Sequence, residues 1–355
     1  MKQVTKISFK GQSIYLGIDI HLKSWHVSIF SDDFELATKS FPPCAKTLGS
    51  YVNRMYPDAN YYSAYEAGYC GYWVHENLIR EGINNIIVNP ADVAVKDKEK
   101  KRKTDSVDSR KLARELRKGE LEGIYIPDKQ QQEDKLLIRT RHAISKKQTS
   151  SKNQIKSTLG FFGIFITDEK INSYWSKAYL EWLRKLCEDN SSRAQRLKAF
   201  LEELESLRKI MAELTKQIRL LSQQERYKED VRLLNSVCGI STLSAMTILT
   251  EFGNIKKYCK LDNLCSYVGL PGDEHTSGNN ERKLGITNRG NKYLKKVLVE
   301  ASWVAIKKDP ALLQAYKNYN KKYPGSKSII KIARKLLNRI RYVLVTGKEY
   351  QIQTV

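Results

Sequence analysis

The sequence has little cysteine and sets none of it at metal-binding spacing. Its six cysteines form no CxxC pair and are accompanied by no nearby pair of histidines. That excludes a zinc ribbon and a disulfide scaffold and suits a reducing compartment. Long apolar runs are missing as well. No stretch approaches the roughly 20 residues that span a bilayer, and the chain opens without an apolar signal segment. A soluble, cytoplasmic protein without a membrane partner is expected. Wholesale disorder is excluded, because 41% of the residues are hydrophobic and enough to fill real cores. A length of 355 residues suggests two or three compact units. Acid, finally, is scarce. Asp and Glu total 39 against 62 Lys and Arg, a net charge of +23.

The basic excess is concentrated in residues 96–103, 139–156 and 321–341, and the last two stretches contain no acid at all. A membrane-surface helix would pair such charge with exposed Trp, Phe and Leu. In the third stretch Ile329, Ile330, Ile332, Ala333, Leu336, Leu337 and Ile340 read instead as a buried stripe. Nucleic acid is the partner this distribution suits. Lys100, Lys101, Arg102, Lys103, Arg139, Arg141, Lys146 and Lys147 are candidate contacts to its backbone.

Short apolar runs at 14–20, 25–30 and 34–41 predict three consecutive antiparallel strands, the first of them buried. A helix near 44–55, a strand at 61–66, a helix near 72–81, a strand at 84–88 and a helix from about 105 to 117 follow. The order β-β-β-α-β-α-β-α describes a mixed sheet with helices on its faces, the order of the RNase H-like (RuvC-like) fold. Residues 128–160 are polar, basic and helical in pattern, and 161–166 form a short apolar knot. Between 197 and 221 the period becomes 3.5. Leu197, Leu204, Met211 and Ile218 fall at a, and Phe200, Leu207, Leu214 and Leu221 at d, a coiled-coil pattern that points to pairing with a second copy. A long amphipathic helix packed within its own chain is the plainer alternative. Residues 231–252 read as helix, Gly-containing turn and helix, a helix-hairpin-helix-like unit that could hold a phosphate without reading bases. A Gly-, Asn- and charge-rich loop at 268–290 and helices near 291–308 and 326–345 complete the chain. The expected division is 1–160, an α/β catalytic domain, 161–228, a coiled-coil dimerisation region, and 229–355, a mainly α domain.

The sharpest chemical signal is a set of four acids. Asp19 lies inside an apolar strand, where a charge is costly unless paired or bound to metal. Glu66 ends the fourth strand, which in this fold lies beside the first. Asp105 and Asp108, three residues apart at a helix start, project from one face. Four such carboxylates suit two Mg²⁺ ions, with Mn²⁺ as an alternative, and two ions roughly 4 Å apart hold both oxygens of a phosphodiester exchange. Taken singly, Asp105 could be a helix cap and Glu66 could face solvent. His21 and His26 read as ordinary surface or packed histidines.

The segments GIDIHLKSWHVSIF, YEAGYCGYW and NPADVAVKDKEKKRKTDSVDSRKLA resemble the DEDD transposases of bacterial insertion sequences, relatives of Piv-type DNA invertases and of bridge-RNA-guided recombinases. The segments LLNSVCGISTLSAMTILTEFGNIKKY and LCSYVGLPGDEHTSGNNERKLGITNRGNKYLKKVLVEASW are similar to the C-terminal transposase domain of the same family. The resemblance implies a D-E-D-D metal set at Asp19, Glu66, Asp105 and Asp108, and a serine that attacks DNA and becomes linked to its phosphate. The matching serine is Ser277, with Thr276 beside it as the other hydroxyl. Relatives often show two hydroxyl residues and then two glycines, where this chain has Thr276-Ser277-Gly278-Asn279. They commonly carry Leu-Arg further on, where this chain has Leu294-Lys295, and a lysine cannot give the bidentate fork of an arginine. Also implied are donor and target DNA and a noncoding bridge RNA, with action at the nucleoid. Because the acids and Ser277 fall in different domains, the serine must reach the metal site within one protomer or across a dimer or tetramer, and the coiled coil favours acids from one subunit with Ser277 from another. Arg282, Lys283 and Arg289 would meet DNA phosphates near the serine. Two other readings stand beside this one. A Holliday-junction resolvase or structure-specific nuclease would use water as nucleophile, and a catalytically idle protein would only bridge duplexes.

Overall fold

Five short strands carry the apolar runs of the first 90 residues: β1 (Ser13–Ile20), β2 (Trp25–Phe30), β3 (Glu35–Phe41), β4 (Asn60–Glu66) and β5 (Asn84–Val88). The computed structural model describes residues 8–93, 105–166, 173–258, 260–270, 272–277, 280–286 and 290–352. The strands form one sheet in the order β3-β2-β1-β4-β5. The hairpin partners β1, β2 and β3 run antiparallel, while β1–β4 and β4–β5 are parallel. This is the mixed sheet expected of an RNase H-like core. Ile14, Leu16 and Ile18 of β1 are fully buried, as its central position requires.

Helices α1 (Ala45–Met55), α2 (Trp73–Arg80) and α3 (Asp105–Arg117) cover the sheet. Helix α1 turns Leu48 and Val52 inward, and α2 turns Val74 and Leu78, to join Trp25, Val27 and Tyr65 in one core. Helix α3 lies directly on β1, and a missing side chain permits it. A Cβ on Gly17 would stand 2.0 Å from the Ser109 carbonyl oxygen and 2.3 Å from the Ala113 nitrogen. Glycine here is a requirement of close backbone approach. Next to it Ser28 and Ser109 share a buried hydrogen bond of 2.9 Å, which fixes α3 against β2 as well.

The chain separates into two compact units, 1–126 and 127–355. The second is largely helical: α4 (Lys129–Phe161), α5 (Lys177–Lys185), α6 (Ser192–Leu221), α7 (Glu225–Asn235), α8 (Thr242–Phe252), α9 (Leu261–Val268), α10 (Lys292–Lys308), α11 (Pro310–Asn320) and α12 (Gly325–Thr346). The unit division leaves α4 with the second body, whereas the sequence pattern set its first boundary at 160.

The heptad helix is α6, and its seam packs within its own chain. Leu197, Leu201 and Leu204 meet Ile155 and Leu159 of α4 and Tyr179, Leu180 and Leu183 of α5. Ile218 and Leu221 join the main helical core with Ile138 of α4. Ser151 donates to Glu203, Arg141 to Thr215 and Arg196 to Thr158, so polar contacts lock the same pair of helices. The intermolecular pairing expected from the a/d pattern is therefore not needed to bury these residues. A 33-residue neighbour, longer than α6 itself, does so.

The stretch expected as a loop contains a two-stranded ribbon, β6 (Gly272–Ser277) with β7 (Asn280–Ile286). Its polar strands carry no alternating apolar face, so the periodicity that marks a half-buried strand is missing. Helix α11 also escaped, although Asp309 caps it by accepting from the Leu312 amide and Pro310 occupies its first turn. The stripe on α12 is buried as expected, with Ile329, Ile332, Ala333, Leu336, Leu337 and Ile340 in the core. Between α7 and α8, Gly239 takes a φ of +89°, and a Cβ there would strike the Ala301 carbonyl at 2.3 Å. The amides at the start of α8 are not all free, since Ser241 accepts from the Ser244 amide.

Candidate active site

Strand pairing brings the acids together. The parallel register sets Ile18 against Tyr65, so Asp19 and Glu66 stand at adjoining strand ends. Asp105 and Asp108 occupy the first turn of α3, where the partial positive charge of the helix start favours carboxylates. The contact at Gly17 holds that turn over β1. Asp19, Glu66 and Asp108 line one small pocket of about 160 Å³, closed by Ile18, Leu112 and Cys70. Among the described residues no lysine or arginine lines it.

Two histidines complete the cluster on its other side. The four-residue turn after β1 pairs Ile20 with Trp25, which places His26 directly opposite Asp19. The Nε2 atom of His21 lies 3.1 Å from an Asp19 carboxylate oxygen and 3.5 Å from Asp105. The Nδ1 atom of His26 lies 3.6 Å from the other Asp105 oxygen. One ligand atom each from Asp19, His21 and Asp105 falls within 4.8 Å of the others, spacing that a single metal ion could use. Sequence reasoning passed over both histidines. The usable signal was the short turn, whose register forces position 26 opposite position 19.

Burial pushes the Asp19 carboxyl above its ordinary range; His21 opposes that through its charge and hydrogen bond, and Asp105 and Asp108 add to it by repulsion. Carboxylates gathered this closely repel one another, and a cation relieves that repulsion. The donors are hard oxygens with one imidazole, a set that fits divalent metal. Asp19, Glu66, Asp105 and Asp108 would hold it, with His21 at its edge.

The expected nucleic-acid contacts divide. Arg139 is committed elsewhere: its guanidinium gives two hydrogen bonds, of 2.6 and 2.8 Å, to the buried Glu251 and stacks over Tyr293. Arg141 is half-buried and donates to Thr215. Lys146 and Lys147 are exposed on α4. A groove of about 800 Å³ between α4 and α6 is lined by Lys152, Arg208, Lys216 and Arg219 with Gln148 and Gln223, and no carboxylate lines it. Burial, with the charges of Arg208 and Lys156, lowers the Lys152 ammonium below its usual range. Lys100, Lys101, Arg102, Lys103 and Arg289 lie outside the described residues. Thr276 and Ser277 end strand β6, with Ser277 opposite Asn280, and Arg282 and Lys283 lie on β7 opposite His275 and Glu274. In the third basic stretch Arg334 pairs with Asp262, and Arg339 with the buried Asp309.

Comparison with known proteins matches both halves. Residues 16–163 match a transposase family of the DEDD, IS110 type, and residues 231–317 match the family described as "Transposase IS116/IS110/IS902 family"; together they cover about two thirds of the chain. The chain is 26% identical to the "Putative transposase y4qE" of Sinorhizobium fredii over 68% of its own length and 58% of that protein. It is 24% identical to the transposase for insertion sequence element IS1111A of Coxiella burnetii, over 66% of its length and 63% of the relative's. It is 22% identical to the transposase for insertion sequence element IS1533 of Leptospira borgpetersenii, over 69% and 71%. The chain thus spans about three fifths of the first two relatives.

Proposed function

The chain belongs to the IS110-type DEDD transposases, and on that premise we propose that it is a DNA recombinase of an insertion sequence, cutting and rejoining strands through a phosphoserine. The observation that carries the reading is the convergence of Asp19, Glu66 and Asp108 on one pocket with Asp105 beside them. Bound there, two Mg²⁺ or Mn²⁺ ions would stabilise charge on the oxygens of a phosphodiester. The acids would hold the ions and fix where they sit against the phosphodiester.

Ser277 is the proposed nucleophile. Its Oγ forms the bond to phosphorus as the bond to the departing strand's oxygen breaks, and the hydroxyl proton ends on that oxygen. Reversal with a different strand end restores the serine, so no ATP is needed. Ser277 is taken over Thr276 because it is the one serine in the 268–290 stretch. The basic groove between α4 and α6, together with Lys146 and Lys147, is the proposed seat of a nucleic-acid backbone, including that of a bridge RNA. Lys100, Lys101, Arg102, Lys103, Arg282, Lys283 and Arg289 are proposed to meet DNA phosphates. Strand exchange joins two duplexes, so at least two copies are the proposed working unit, with the acids and the serine of each active centre from different subunits.

The test is a covalent-adduct assay in cells carrying the gene with its flanking DNA. Denaturing lysis should yield protein linked to DNA at Ser277, and both Ser277→Ala and Asp19→Asn should abolish the link. Cleavage without an adduct at any residue would overturn the serine step and favour a resolvase that uses water.

A further inference from the structure

The four acids predict an all-oxygen centre, yet the cluster is chemically lopsided. On one side of Asp19, Glu66 and Asp108 share the small pocket and offer only carboxylate oxygen. On the other, Asp19 and Asp105 are bridged by His21, whose Nε2 lies 3.1 and 3.5 Å from their oxygens. We propose that His21 is a direct metal ligand, so that one of the two metal positions is a mixed nitrogen–oxygen site preferring a transition divalent ion to Mg²⁺. This rests on the metal reading above and narrows it.

Three observations support the assignment. First, an imidazole on a strand-end turn has all of solvent to point into, and His21 is half-exposed, yet its ring turns back onto two carboxylates. Second, the three donor atoms lie within 4.8 Å of one another, whereas the carboxylates alone would crowd like charge around an empty centre. Third, the His26 Nδ1 atom is buried without a hydrogen-bond partner among the described residues and lies 3.6 Å from the second oxygen of Asp105, so a second imidazole faces the same carboxylate from the neighbouring strand. Ligating carboxylates usually take such an outer partner, and His26 is placed to become one. Imidazole is a poor donor for Mg²⁺, which keeps oxygen ligands and water. A nitrogen donor raises affinity for first-row transition ions, Mn²⁺ included, relative to Mg²⁺.

The experiment uses the full chain titrated with Mn²⁺ and examined by electron spin-echo envelope modulation, which detects a directly bound ¹⁴N. Wild type should show one bound imidazole nitrogen. His21→Gln should lose that signal and at least about tenfold in Mn²⁺ affinity, with Mg²⁺ affinity, read by competition, unchanged. His26→Gln should keep the signal. Circular dichroism checks that each variant is folded, and His21→Asn serves as a second variant at the same exposed position. Mn²⁺ bound with no nitrogen signal, or a signal that survives both His21 variants, would overturn the assignment while leaving the acid site standing. If wild type binds no Mn²⁺ beyond what Asp19→Asn binds, the metal reading fails and this inference with it.

Discussion

Two carboxylates, the buried Glu251 of one unit and the half-buried Asp19 of the other, sit in opposite surroundings. Glu251 of α8 is almost wholly buried and surrounded by cations and donors: Arg139 twice, Asn291 at 2.7 Å and Lys135 at 3.7 Å. Burial alone would raise its carboxyl, but the hydrogen bonds from Arg139 and Asn291 and the charges of Lys135 and Arg139 win, and it stays below its ordinary range. Asp19 of β1 has burial pushing the same way, only a histidine in opposition, and two more acids beside it, and it ends above its ordinary range. A buried acid with its own cation belongs to the fold. One left among like charges is kept for something that arrives later.

Substitutions should pull the two apart. The largest effect is expected on chemistry: Asp19→Asn should cut strand exchange by about a thousandfold or more, several kcal/mol of lost charge stabilisation, measured by adduct yield. Without divalent ions the same variant should melt a few degrees above wild type. Because folding raises the Asp19 pKa, its ionised form costs stability as pH rises from the ordinary carboxylate range through the raised value. The gap in Tm should close below about pH 4 and be largest at neutral pH. Arg139→Ala should do the reverse, costing about 3 kcal/mol in denaturant unfolding by leaving the buried Glu251 only the Asn291 hydrogen bond and the longer contact to Lys135. Folding lowers the Glu251 pKa, so its stabilisation is present above the ordinary value and lost as pH falls through the folded one; the deficit of Arg139→Ala should shrink in acid.

Gly17→Ala is expected to cost about 1–3 kcal/mol, the scale of core overpacking, and also to lose metal binding, because α3 must lift and carry Asp105 and Asp108 with it. A stability loss with full metal affinity would break the link between that contact and the site. The smallest effect concerns the groove. Lys152→Glu or Arg208→Glu should leave the fold intact and lower the salt dependence of nucleic-acid affinity, by about one unit of log–log slope for each phosphate contact removed.

The acids were legible because each sits where its neighbours define it. An aspartate inside an apolar strand, a glutamate at the end of another and a DxxD at a helix start need only strand order to converge. The histidines were not, since their role follows from a register that alternation leaves open by a residue. The α6 seam was legible as a heptad pattern, and within the chain it is the plainer of the two readings, a helix packed on α4 and α5, that buries Leu197, Leu204, Ile218 and Leu221. A 3.5 period says that a narrow stripe is covered; only the length and position of α4 say by what. The fate of Arg139 was hidden for a related reason, because Glu251 is 112 residues away and no local pattern joins them.

The division of the chain carries a consequence for control. All four acids come from residues 19–108, inside the first unit, and the proposed nucleophile comes from the second. Under the proposed mechanism neither body can injure DNA by itself, and the interval between encounter and incision is governed by assembly. Such an enzyme has no need of an inhibitor to keep a host chromosome safe. Its idle condition is simply being unassembled.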